Sequence, residues 1–166
     1  MTTFAVTPDQ DAVVADIHIS APAERVFLAI TDPRQLLQWW GQSNMYRTTE
    51  FTVDLRDGGK WRSSGVGADG KSFEVEGEYR EIDPPYRLVY TWRPTWMNGA
   101  ETLVRWELSE EGKGTRVRVH HSGFAGAVEP LKAHGSGWAR ILDWVQAYIE
   151  RDETIATRKP TASVAS

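Results

Sequence analysis

Cysteine is absent from the 166-residue chain. Without thiols there can be no disulfide framework, no thiolate nucleophile and no thiolate-bound metal, and such a chain suits a reducing compartment. No apolar run approaches the roughly 20 residues that span a bilayer. The opening residues, MTTFAVTPDQD, show no basic segment followed by an apolar one. A soluble, cytoplasmic protein that does not associate with membranes is expected. Basic charge is also scarce: 19 Lys and Arg stand against 23 Asp and Glu, for a formal net charge of −4. Scattered rather than gathered into a stripe, these cations do not suit a nucleic-acid partner. Internal repeats are missing too. What the chain does have is aromatic surface, with eight Trp, five Tyr and five Phe, and this excess must pack somewhere.

The periodicity of the apolar residues divides the chain. In VVADIHIS, residues 13–20, Val13, Ala15, Ile17 and Ile19 share one face, the alternation of a half-buried strand. SAPAERVFLAITDP follows, with Ser20 expected as N-cap, Val26, Phe27 and Ile30 at helical spacing, and Asp32-Pro33 as a stop. A second short helix is expected over 34–39. The period then returns to two in six segments, 50–55, 60–65, 72–82, 87–93, 102–109 and 115–121. Their separators (RDGG, GADG, DPP, MNG, EEGKG) carry the residues that tight turns require, so the strands must run antiparallel. From 129 to 151, Trp138, Ile141, Leu142, Val145, Tyr148 and Ile149 form one apolar stripe of a long helix.

This order predicts an α+β domain in which a seven-stranded curved antiparallel sheet wraps a long C-terminal helix, with two short helices between strands one and two. An N-terminal extension over 1–12, a domain over 13–153 and a flexible tail over 154–166 are expected. A twisted sheet around one helix leaves a gap suited to a small molecule.

The segments ISAPAERVFLAITDPRQLLQWW, DLRDGGKWR, DPPYRLVYTW, WELSEEGKGTRVRVHHSGF and GWARILDWVQAYIE resemble the SRPBCC (START/polyketide-cyclase-like, helix-grip) superfamily. Within it they are similar to the branch of the heat-shock-protein-90 ATPase activator homologue. The resemblance implies the helix-grip fold and a cavity for hydrophobic ligands. It leaves the activity open, because superfamily members include cyclases, hydrolases, toxin-resistance proteins and protein partners.

Strand parity turns Val104, Trp106 and Leu108 to one face, and Val117, Val119 and His121 likewise. Leu88, Tyr90 and Trp92 form the heavier set of their strand. Trp61, Tyr90, Trp92, Trp106, His121 and Trp138 are therefore expected around one concavity, with Trp39 and Trp40 near its mouth. Adjacent residues on a short helix diverge by about 100°, so one of the two tryptophans is expected to plug the core and the other to shape the mouth. His121 matches the His of the family's HSGF segment; with no evident carboxylate partner it reads as a structural histidine that hydrogen-bonds the loop after the last strand, not as a catalytic one.

Other signals dissolve on inspection. GVGADG at 65–70 has the GxGxxG letters but leads into a strand, so it is a hairpin turn. His134 stands where a nucleophile elbow needs Gly. His120 and His121 point to opposite faces and cannot chelate one ion, and no metal or cofactor is expected. Glu74, Glu76, Glu78 and Glu81 read as a solvated strand face. The residues favour a binding protein for a small hydrophobic, aromatic molecule. A cyclase- or hydrolase-type enzyme and a chaperone-interacting module remain alternatives, and exposed aromatic edges would allow a homodimer.

Overall fold

In the computed structural model, which describes residues 2–159, the elements are β1 (Phe4–Val6), β2 (Ala12–Ile19), α1 (Ala23–Thr31), α2 (Pro33–Trp39), β3 (Gly41–Gln42), β4 (Tyr46–Val53), β5 (Lys60–Gly67), β6 (Ser72–Asp83), β7 (Arg87–Pro94), a 3-10 turn (Thr95–Met97), β8 (Thr102–Glu111), β9 (Gly114–Ser122) and α3 (Val128–Arg151). All neighbouring strands pair antiparallel, in the order β1-β2-β9-β8-β7-β6-β5-β4-β3. The α1–α2 segment carries the chain from one side of the sheet to the other, and the remaining strands meander back. The helix-grip fold expected from the pattern is what forms, with α3 packed into the hollow of the sheet.

The sheet has nine strands, not seven. The extra two are edge strands, β1 of three residues and β3 of two, too short to display a period of two. Each shields an edge: β1 pairs with β2 from Phe4↔Ala15 to Val6↔Val13, and β3 pairs with β4 at Gly41↔Arg47. The stretch expected as an extension is thus tied down within 2–12. The Phe4 ring lies directly on the α3 backbone at Gly135, where any Cβ would strike it, and Thr2 hydrogen-bonds Asp143.

Asp32 closes α1 and opens α2. Its N–H donates to the Leu28 carbonyl and its carboxylate accepts from the Arg34 N–H at 3.0 Å, with Pro33 at the first helical position. Ser20 does not cap α1 as expected: Pro22 holds that position, and the Ser20 N–H is taken by Glu150 of α3 at 2.8 Å. Along β8 and β9, Val104, Trp106, Leu108, Val117, Val119 and His121 are buried inward, as parity requires.

The tail expected from 154 onward begins as folded chain; 160–166 lie outside the described residues. The Ile155 N–H donates to the Gln38 carbonyl at 2.7 Å. Arg158 is 5% exposed. Its Nη1 donates to the carbonyls of Trp39 (2.9 Å) and Gly41, its Nη2 to that of Trp144 (3.4 Å), and its Nε to Glu153 at 2.8 Å. The segment after α3 therefore straps the end of α2 to the helix. Arg158→Leu strands buried carbonyls and is expected to cost about 3 kcal/mol in urea unfolding; a loss below about 0.5 kcal/mol, the scale of an ordinary surface change, would show that the strap is idle.

Candidate functional site

The concave face of the sheet presents Trp61 from β5, Val75 and Tyr79 from β6, and Tyr90 and Trp92 from β7. Against it α3 turns His134, Gly137, Trp138 and Ile141, the i, i+3, i+4, i+7 stripe of a helix face. At 137 this stripe has no side chain, and a Cβ built there would meet nothing within 4 Å. The helix therefore leaves the hollow incompletely filled, and a cavity of roughly 420 Å³ remains. Trp40 and Leu36 close one side, and Tyr46, Phe73, Trp96 and Arg140 surround the more open end.

The wall is a continuous aromatic lattice. Trp40 stacks on Trp92 at 6.5 Å between ring centroids and meets Trp138 edge-on at 6.0 Å. Trp61 meets Tyr90 at 5.1 Å and Trp92 at 5.8 Å, and Tyr79 meets Tyr90 at 6.1 Å. Mostly tilted and edge-on, these contacts are the geometries that ring quadrupoles favour. Gly77 makes room for Trp61: a Cβ there would sit 2.6 Å from the Trp61 Nε1 and would also strike the Thr91 carbonyl.

Hydrogen bonds behind the wall hold the rings in place. The Trp138 indole N–H donates to His121 Nδ1 at 2.8 Å, which leaves that nitrogen unprotonated. The neutral ring then carries its proton on Nε2, which donates to Thr102 Oγ1 at 2.6 Å, and Thr102 in turn donates to the Trp92 carbonyl at 3.3 Å. Burial, with His134 and His120 nearby, holds the His121 pKa well below the usual 6.5. His134 makes a second such link. Its Nε2 accepts from the Trp92 indole at 3.3 Å while its Nδ1 donates to the Pro130 carbonyl at 2.8 Å, and burial lowers its pKa.

Of the residues expected around the concavity, Trp40, Trp61, Tyr90, Trp92 and Trp138 line it. Trp39, Trp106 and His121 do not. Trp39 is fully buried, its indole bonded to the Ala29 carbonyl at 2.8 Å, so it locks α2 to α1. Trp106 stands behind Tyr90 and donates to the Tyr90 hydroxyl at 2.9 Å. His121 points inward, but the Trp138 ring lies between it and the open space, and its partners are Thr102 and Trp138 rather than the loop after the last strand. The sequence reading missed Tyr79, Phe51, Phe73, Trp96, His134 and Arg140. For His134 a signal existed, since it lies four residues before Trp138 on the same helix face. Glu74, Glu76, Glu78 and Glu81 pair with Arg62, Arg93, Lys60 and Arg87 on the outer face, so none supplies an acid to the cavity.

Because the folded pKa of His121 lies below its unfolded value, its contribution to stability is complete above about pH 6.5 and falls as the pH drops below that. Nitrogen-15 spectra of the imidazole at pH 6 are expected to show a neutral Nε2–H ring. An imidazolium signal at that pH would contradict the assigned hydrogen-bond chain.

Known proteins share this fold. Protein Ms6760 from Mycobacterium smegmatis superposes with a TM-score of 0.77 at 19% identity, covering 91% of this chain and 98% of that one. An AHSA1-like protein from Aeromonas hydrophila gives 0.71 at 25% identity, covering 85% and 93%. DynU16, a protein of the dynemicin biosynthetic locus, gives 0.71 at 23% identity; 86% of this chain corresponds to 48% of that one. No curated protein matches the sequence. The family model described as "Activator of Hsp90 ATPase homolog 1-like protein" matches residues 20–150, from just before α1 through nearly all of α3, and the chain belongs to that family.

Proposed function

We propose that the protein binds a small, flat, largely apolar molecule in the cavity between sheet and helix. The observation that carries this reading is the vacancy at Gly137, a space of roughly 420 Å³ walled by rings. It falls in the size range of small-molecule sites, and hydrogen bonds fix the Trp92, Trp138 and Tyr90 rings of its wall, which favours a shape that exists before a ligand arrives. The occurrence of this fold in a protein of a biosynthetic locus supports a role with small organic molecules. Binding without proton transfer is favoured by the state of the histidines: both nitrogens of His121 and of His134 are already engaged. Among the described residues no carboxylate lines the cavity.

Filling the vacancy tests this directly. Gly137→Phe places a ring in open space on a helix, where replacing glycine gains about 0.5 kcal/mol of helix propensity. Titration with the fluorescent neutral probe N-phenyl-1-naphthylamine should show saturable binding by the natural chain, weakened at least about tenfold in the variant. Equal binding by both proteins would place the ligand elsewhere.

The adjacent tryptophans separate stability from binding. Trp39→Ala is expected to destabilise by about 3–5 kcal/mol, because it opens the core and strands the Ala29 carbonyl. Trp40→Ala should act mainly on probe affinity, and the reverse pattern in paired unfolding and titration measurements would overturn these assignments.

A further inference from the structure

The cavity has one charged residue in its lining among the described residues, Arg140. It lies three residues beyond Gly137 on α3, at the open end, with its guanidinium 5.8 Å from the centre of the Trp144 ring. Its Nε is buried and has no hydrogen-bond partner. Among the described residues no ion pair includes it. The arginines of the outer sheet face behave differently: Arg62, Arg87, Arg93, Arg116 and Arg118 each meet a carboxylate. A guanidinium stays charged throughout the physiological range. Half-buried beside rings and without a carboxylate partner among the described residues, it has one buried donor, Nε, left to give.

Two buried tyrosines of the lining offer neutral donors. The Tyr79 hydroxyl makes no hydrogen bond to the described residues. The Tyr90 oxygen already accepts from Trp106, which leaves its own proton to give. Burial raises the pKa of both phenols, so both stay protonated. The site thus combines one half-buried cation with buried hydroxyl donors and aromatic rings. A positively charged ligand would meet ring faces but no carboxylate among the described lining residues, and would be repelled by the Arg140 charge.

Resting on the binding role proposed above, we infer that the cavity selects ring-containing molecules that carry an acidic group, a carboxylate, sulfonate or phenolate, at the end that meets Arg140. A planar guanidinium fork suits the oxygen pair of a carboxylate or sulfonate and can also donate to the single oxygen of a phenolate, and an aromatic, poorly hydrated surround strengthens the interaction.

Two probes of nearly the same shape isolate the charge: 1-anilinonaphthalene-8-sulfonate and the neutral N-phenyl-1-naphthylamine. By fluorescence titration the natural chain is expected to bind the sulfonate about tenfold more tightly. Arg140→Leu should erase that difference by weakening the sulfonate probe, Arg140→Lys should retain part of it, and Gly137→Phe should weaken both probes together. Equal affinity of the natural chain for the two probes, or a preference that survives Arg140→Leu, would overturn the inference while leaving the cavity reading intact. Failure of both probes to bind would overturn the binding role and this inference with it.

Discussion

The hydrogen bond from the Trp138 indole to His121 joins the long helix to the last strand at the middle of the hollow. Two large rings from different elements could pack in many ways, but a donor and an acceptor 2.8 Å apart select one. Through Thr102 the same chain of bonds reaches the backbone of Trp92. His134, one turn before Trp138, returns from the helix to the Trp92 indole. Helix, last strand and cavity wall are therefore held by one polar network set among rings. Removing an acceptor such as His121 would leave a buried indole N–H unpaired, at a cost of about 1–3 kcal/mol.

With the helix held in this way, its missing side chain at Gly137 helps keep the hollow open. A large apolar residue there would occupy part of the hollow and narrow the space left for a ligand. The remaining side of the cavity depends on α2, which ends in two tryptophans with divided duties. Trp39 fixes α2 to α1, and Trp40 stacks on it at 5.1 Å while facing the open space. The Arg158 strap then ties this corner to the end of α3. The Trp92, Trp138 and Trp40 sides of the cavity are anchored by contacts made outside it, which leaves a lining that is mainly apolar, with the Arg140 charge, His134 and the hydroxyl-bearing side chains as its polar groups.

The architecture was legible because amphipathic periodicity survives in long elements: the strands from 60 onward and α3 were all found, within a few residues of their ends. The edge strands β1 and β3 escaped, since two or three residues cannot show a period and their pairing depends on distant partners. Arg158 escaped for a related reason. In sequence it sits in a polar tail, and only the folded chain brings three carbonyls to it. Parity assigned inward faces correctly for Trp106 and His121, but it cannot tell which inward residue borders a cavity and which stands behind another ring. The strongest cue to the space itself, Gly137, reads in sequence as a weak helix residue.

The central claim is that the space beside Gly137 is a preformed binding site. A crystal structure of the protein soaked with N-phenyl-1-naphthylamine tests it most directly. The account predicts density for the probe between Trp40, Tyr79 and Trp138, with the Trp138 to His121 hydrogen bond unchanged. A cavity filled by rearranged side chains, or a probe bound only on the outer surface, would contradict it.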